Sequence, residues 1–207
     1  MGLIRRRLHV TLSGMASFIR SIPDGDNRER KVCADCGFIA YENPKVIVGS
    51  VVVANGRVLM CRRAIEPRLG FWTLPAGYLE LGETLEEGAV REAREEAEAT
   101  ITIDGILGVF SIARIAQVQV IFLARFADTG SPVFSPGLES LEVRLFEPDK
   151  VPWDEIAFPS VRWSLNSWLD LGSGSPGRPA GNPADDKRGE HRVPLSEPDD
   201  VAKDSAL

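Results

Sequence analysis

The chain has little of what would place it in an oxidising compartment or a membrane. Its 207 residues contain three cysteines, Cys33, Cys36 and Cys61, too few and odd in number for a disulfide framework. That count suits a reducing, cytoplasmic setting. No run of about 18 apolar residues occurs, so no transmembrane helix is expected. The amino terminus carries Arg5, Arg6, Arg7 and Arg20 and no acid before Asp24, as a transit sequence would. His9, Ser13 and Gly14 break its apolar stretch, however, and no targeting segment is expected. Basic charge is also short: 24 Lys and Arg face 30 Asp and Glu, for a net charge of −6 and an isoelectric point near 5.1. This argues against a protein that coats nucleic acid backbones. Neither nucleic acid nor a membrane is expected as a partner.

What is present points to one ordinary core, since 43% of the residues are hydrophobic and the length suits a single catalytic domain with appendages. The acidity is concentrated. Between Glu80 and Glu98 stand eight glutamates and two arginines, an excess equal to the net charge of the whole chain. Val46 to Ala54 is apolar and β-branched, as a buried strand is, and Asn55-Gly56 supplies a hairpin turn into Arg57 to Cys61. A short strand is expected at Phe71 to Leu74, and further strands at Gln117 to Phe126 and Leu141 to Phe146. Thr84 followed by Glu87 fits a capping box and places a helix start near Leu85. A second amphipathic helix is expected from about Ser160 to Leu169, ended by Gly172. Beyond it, residues 172–207 are rich in Gly, Pro, Ser and charge, the composition of a disordered tail.

Within the acidic stretch the sequence GYLELGETLEEGAVREAREEAEA runs from Gly77 to Ala99. On a helix, residues three and four apart are neighbours, so Glu92, Glu95 and Glu96 project from nearly one face. Like charges at that spacing cost roughly 0.2–0.5 kcal/mol per pair unless a cation lies between them. Carboxylate oxygens select a hard cation, Mg²⁺ or Mn²⁺, which also grips phosphate. The opposite face, with Ala89, Val90, Ala93 and Ala97, is small and apolar and can pack closely on a sheet. Arg91 can pair with Glu95 one turn later and with Glu83 in the preceding loop. A solvated acidic helix is the common alternative for three glutamates alone; the register of Gly77, Glu83, Arg91-Glu92 and Glu95-Glu96 argues against it.

That register resembles the Nudix box: a glycine, five residues, Glu, seven residues, Arg-Glu-aliphatic, one residue, Glu-Glu, one residue, Gly-aliphatic. Every charged position is filled; Glu98 stands where the pattern has glycine. The resemblance implies an α/β fold, an α/β/α sandwich around a mixed sheet, and hydrolysis of a diphosphate. It also implies Glu92 and Glu96 as principal metal ligands, Glu95 as a further ligand or base, and the carbonyl of Ala76 as another ligand. Gly77, Glu83 and Arg91 would support them. A further acid from outside the box serves many members as base or ligand; Glu139 and Glu142, at the start of a strand after a loop, are the candidates. Glu98 falls after these positions, at the helix end where glycine would be a cap, so it should alter the turn and not the chemistry.

The first 43 residues resemble the zinc ribbon that precedes some Nudix domains, with Cys33-Ala-Asp-Cys36-Gly37 as one knuckle. The other knuckle is degenerate: Val10 and Ser13 occupy its cysteine positions. A structural zinc needs four ligands, and Cys33 and Cys36 supply two, with His9 a weak third, so less than one tightly held zinc per chain is expected. Cys61, in an apolar strand, should be core. The domain plan is therefore 1–43 ribbon-like, 44–171 Nudix, 172–207 tail.

The resemblance further implies a small-molecule nucleotide substrate and allows a homodimer, which many Nudix enzymes form. Residues 100–127 lack the SQPWPFPxS array of NADH pyrophosphatases, while FWTLPAGYLELGE, GLESLEVRLF and VPWDEIAFPSVRWSL are similar to the subgroup containing a plant FAD pyrophosphatase. FAD is the favoured substrate and ADP-ribose the alternative; Phe71, Trp72, Tyr78 and Phe110 are candidates for stacking on a base or flavin. Two rival classes are a Nudix-fold nucleotide sensor without turnover, disfavoured by the intact glutamates, and a zinc-ribbon nucleic acid module, disfavoured by the missing cysteines and the acidic charge.

Overall fold

The computed structural model describes residues 17–128, 130–172 and 174–185, and the chain separates into two units, Met1–Asn43 and Pro44–Leu207. His9, Val10 and Ser13 lie outside the described residues. In the first unit β1 (Phe18–Ser21), β2 (Arg30–Cys33) and β3 (Ile39–Ala40) form an antiparallel three-stranded sheet in that order. Arg30 Nε donates to Asp26 Oδ2 at 2.8 Å, and its guanidinium stands 5.3 Å from the centroid of the Tyr41 ring.

The second unit starts where the β-branched run predicts. β4 (Lys45–Ala54) turns through Asn55 and Gly56, both at positive φ (51° and 72°), into β5 (Arg57–Arg63). Side chains alternate along both strands: Val51, Val58 and Met60 enter one apolar layer, while Val52, Leu59 and Cys61 enter the other. That period of two is what lets a sheet carry a helix on each face. Short strands β6 (Trp72–Thr73) and β7 (Ala76–Tyr78) pair with β5 and β4. Helix α1 (Leu85–Ala97) packs on the layer of Val52 and Val48 through Ala89, Ala93 and Ala97. Gly88 permits that approach, because a Cβ there would lie 2.8 Å from Val48 Cγ2.

β8 (Ile101–Ile112), β9 (Gln117–Phe126), β10 (Ser140–Phe146) and helix α2 (Pro159–Leu171) complete the unit. The sheet order is β10-β5-β4-β9-β8, with β4 and β9 parallel and the other neighbours antiparallel. This is the expected mixed α/β/α sandwich, with α2 covering the face of Val51, Phe110 and Ile121 through Val161, Leu165 and Trp168. Proline at the first turn of α2 suits the missing amide donor, and Gly172, at φ 60°, ends the helix as expected.

The sequence reading misses β8. Its pairing with β9 shifts register between Ile103 and Gly105 and again between Ile106 and Gly108, and bulges of this kind erase the alternation that identifies a strand. Part of the chain assigned by composition to the tail also has a place. Ala180 exchanges backbone hydrogen bonds with Leu107 and Val109 at 2.9 Å, and the Asn182 amide bonds both the N–H and C=O of Ser111 at 2.8 Å. This segment pairs with the edge of β8; residues 186–207 lie outside the described ones. No helix among the described residues is long and apolar enough to cross a membrane.

Candidate functional site

The site is assembled around one helix. Thr84 caps α1 by accepting from the Glu87 amide at 3.2 Å, while the Glu87 carboxylate accepts from the Thr84 amide at 2.8 Å. This capping box sets the rotation that turns Ala89, Ala93 and Ala97 to the sheet. Glu92 and Glu96, one turn apart, are then only 7% exposed each, an unusual position for carboxylates. Gly77 explains part of this: a Cβ there would meet the Glu92 carboxylate at 2.5 Å. The box glycine is required by close approach, since its φ is not in the left-handed region.

Arg91 ties the loop to the helix. Its guanidinium donates to Glu83 Oε1 at 2.6 Å, Glu83 Oε2 at 3.1 Å, Glu92 Oε1 at 2.7 Å, Glu95 Oε2 at 3.0 Å and the Tyr78 carbonyl at 2.9 Å. That partner set holds the Glu83 carboxyl below its usual range and the arginine above its own. Burial pushes the Glu92 carboxyl up, opposed by Arg91. Glu96 is driven further: burial raises it to about 8, opposed by the Ala76 amide, which donates to Glu96 Oε2 at 3.1 Å, while the neighbouring Glu92 charge adds to the rise.

Glu139 reaches the same place from another element. The loop before β10 closes over the carboxyl end of α1, where the Gly137 amide donates to the Glu96 carbonyl at 3.1 Å and the Ser135 amide to Ala97 at 3.0 Å. Gly137 is obligatory there, because a Cβ would overlap the Glu95 carbonyl oxygen. Glu139 lines the same cavity as Glu92, Glu95 and Glu96, and its charge adds to the rise of both buried carboxyls. Glu142, the other candidate, does not line the cavity; it pairs with Arg144 beyond a bulge in β10.

The cavity measures about 820 Å³ and reaches from Arg63 and Arg68 to Arg114 and Gln117, near the upper end of the roughly 300–1,000 Å³ usual for ligand sites. Of the four aromatic stacking candidates, Trp72 (4% exposed) and Phe110 (fully buried) belong to the core, and Phe71 packs against Arg68. Tyr78 lines the cavity and is 48% exposed. Sequence reasoning passes over Gln117 and Gln119. Their signal is two polar residues at alternate positions of β9, followed on the same face by the apolar Ile121 and Leu123.

The donor set suits a hard divalent cation: three carboxylates from α1 and one from the β10 loop, two of them desolvated with their charge disfavoured. Among the described residues no three such groups converge as a ready cage, because Glu92 and Glu95 are turned onto Arg91 and Glu96 onto the Ala76 amide. In the first unit the described residues bring fewer such groups together. Cys33 and Cys36 share one hydrogen-bonded turn, and the amides of Cys36 and Asp35 hold the Cys33 thiol below its usual range. The described residues add no third ligand. Cys61 is buried in the core as expected, its thiol raised by burial.

Comparison with known proteins matches the model of the NUDIX domain over residues 43–164 and that of the Nudix N-terminal zinc ribbon over residues 16–42. The chain is 30% identical over 119 residues to an ADP-ribose pyrophosphatase of Methanocaldococcus jannaschii, spanning 57% of this chain and 69% of that one. It is also 30% identical to a NAD-capped RNA hydrolase of Vibrio atlanticus, over 63% of this chain but 49% of the relative's length. A crystal structure of a NUDIX hydrolase from Nitrosomonas europaea superposes with a TM-score of 0.73 at 43% identity, covering 81% of this chain and 92% of that one. With the box glycine, the buried glutamates and the bracing arginine in place on this fold, the chain belongs to the Nudix hydrolase family.

Proposed function

We propose that the enzyme hydrolyses the pyrophosphate bond of a nucleoside diphosphate linked to a second group, releasing a nucleoside monophosphate, with Mg²⁺ or Mn²⁺ as cofactor. The observation that supports this most is the placement of Glu92 and Glu96, both buried, beside Glu139 from a separate loop. Glu92, Glu96 and the Ala76 carbonyl would hold the cation, with Glu95 as a further ligand. When bound, the cation supplies charge neutralisation of the diphosphate and acidity toward its water.

The remaining work falls to this chain's residues. Glu139 accepts the proton of the attacking water; its backbone carbonyl is pinned by the Ala64 amide at 2.8 Å, so the loop does not wander. Arg91 and Glu83 keep the carboxylates in register. Water adds to one phosphorus as the bridging P–O bond breaks, and each product leaves with one phosphate.

The sequence alone favours FAD. Two observations put ADP-ribose ahead: a relative that shares 30% identity and is covered over 69% of its length is an ADP-ribose pyrophosphatase, and two of the aromatics that could stack a flavin are consumed by the core. Incubation with Mg²⁺ and either FAD or ADP-ribose, followed by chromatography, is expected to yield AMP from both, with the higher kcat/KM for ADP-ribose. FAD cleaved more efficiently would reverse the ranking; cleavage of neither would favour a sensor.

A further inference from the structure

We infer that Tyr78 and Gln119 form a nucleobase subsite in the cavity, and that it selects bases bearing an amino group at the adenine N6 or cytosine N4 position over the keto bases guanine and uracil. This rests on the reading of the cavity as a nucleotide site and adds to it the class of base.

The strand register puts the two side chains together. Ile47 of β4 is the pairing partner of both Tyr78 on β7 and Gln119 on β9. Residues directly paired project to the same side of a sheet, so Tyr78, Ile47 and Gln119 form a row, and all three line the cavity. Lys45 Nζ stands 5.0 Å from the Tyr78 ring centroid, which covers one face of the ring and holds its plane. The ring is nonetheless 48% exposed. A flat aromatic at the rim of a pocket stacks any base, and so contributes affinity without choosing among bases.

The choice comes from the amides. Gln117, two residues back on the same face, donates from Nε2 to Tyr78 Oη at a long 3.5 Å and accepts at Oε1 from Gln119 Nε2 at 3.3 Å. The Gln119 nitrogen is thus turned along the strand. Its carbonyl oxygen accepts no hydrogen bond among the described residues and is the polar atom left for a ligand. Phe110 is its strand partner and Ile121 its next neighbour on that face, so the flanking side chains are apolar and the oxygen is the acceptor that this row offers to the cavity. An acceptor there matches an amino N–H and opposes a keto oxygen. A site built to hydrogen-bond one group discriminates strongly against an analogue that lacks it.

Binding of AMP, CMP, GMP and UMP to the full chain, measured by titration calorimetry with Mg²⁺ present, tests this. AMP and CMP are expected to bind at least about 10-fold more tightly than GMP and UMP. Gln119→Leu should abolish that ratio, whereas Gln119→Glu, which keeps an acceptor, should retain it. Tyr78→Ala should weaken all four by about 10-fold or more, while Tyr78→Phe should keep the stacking contribution. Unchanged melting temperatures show that the variants fold. Equal binding of the four nucleotides, tighter binding of the keto pair, or a ratio that survives Gln119→Leu would overturn the inference. The two readings fail separately: base discrimination without hydrolysis of any dinucleotide leaves the subsite and removes the enzyme, and hydrolysis without discrimination does the reverse.

Discussion

The box and the ribbon-like unit hold their candidate metal ligands in opposite ways. In the box every charged position survives, and each side chain depends on another: Gly77 leaves the space that Glu92 fills, and one guanidinium serves Glu83, Glu92 and Glu95 together. In the ribbon-like unit one knuckle keeps its two cysteines, and an Arg30–Asp26 ion pair with a cation–π contact to Tyr41 braces the sheet locally. Buried carboxylates cost folding free energy, since burial penalises their charge, and a bound cation would offset that cost. A half-set of thiols carries no such cost. The difference sets a cluster of buried, braced carboxylates against a small sheet whose described residues bring two cysteines to one turn.

The largest effect is expected at Glu96. Glu96→Gln is nearly isosteric and can still accept from the Ala76 amide, yet it removes a ligand charge, so kcat should fall by about 10²-fold or more. Without divalent cation the same variant should melt at a higher temperature near pH 7, because the wild-type carboxyl must take up a proton to be buried neutral and the glutamine need not. The metal-free wild type should lose stability as pH rises from about 4.5 toward about 8, since over that window the folded carboxyl holds a proton that the unfolded one has released. A wild-type rate in the variant would put the metal elsewhere.

Gly77→Ala comes next. The clash is with the end of a flexible side chain, so Glu92 can swing aside. The expected outcome is a loss of kcat of about tenfold or more with a stability change below about 1 kcal/mol, measured by kinetics and denaturant titration together. A loss of stability without loss of rate would make the glycine a packing residue only.

Glu98 gives a smaller effect of opposite sign. It holds the left-handed C-cap of α1 at φ 49°, ψ 25°, a conformation that costs a residue with a Cβ. Glu98→Gly should raise stability by about 0.5–1 kcal/mol and leave the rate unchanged, although it also removes the hydrogen bond that Glu98 accepts from Ser135. The smallest effect belongs to the ribbon: Cys33→Ser should barely move the melting temperature, and elemental analysis should find less than one zinc per chain. One zinc per monomer would break the contrast between the two regions.

Much of this was legible in the sequence because the box is local. Its glycine, capping threonine and glutamates lie within one loop and one helix, so spacing alone predicts which face each side chain takes. Glu139 was legible only as one of two candidates: that it lines the cavity and Glu142 does not follows from how the loop before β10 closes on α1, which leaves no pattern in composition. β8 hid behind its own irregularities, and the docking of Ala180 and Asn182 on its edge could not be read from a segment with so few apolar residues. Gln117 and Gln119 acquire meaning only from the pairing of β4 with β9, a contact between residues far apart in the chain.

Glu96 is the buried carboxyl on which the proposed divalent-cation site turns. Calorimetric titration of Mn²⁺ into the metal-free protein, in buffers of different ionisation enthalpy, measures the protons released on binding. With its carboxyl raised to about 8, the wild type should release close to one proton near pH 7 and almost none above about pH 9, and Glu96→Gln should bind far more weakly with no such release. Equal affinity in wild type and variant, or binding without proton release near pH 7, would contradict the claim.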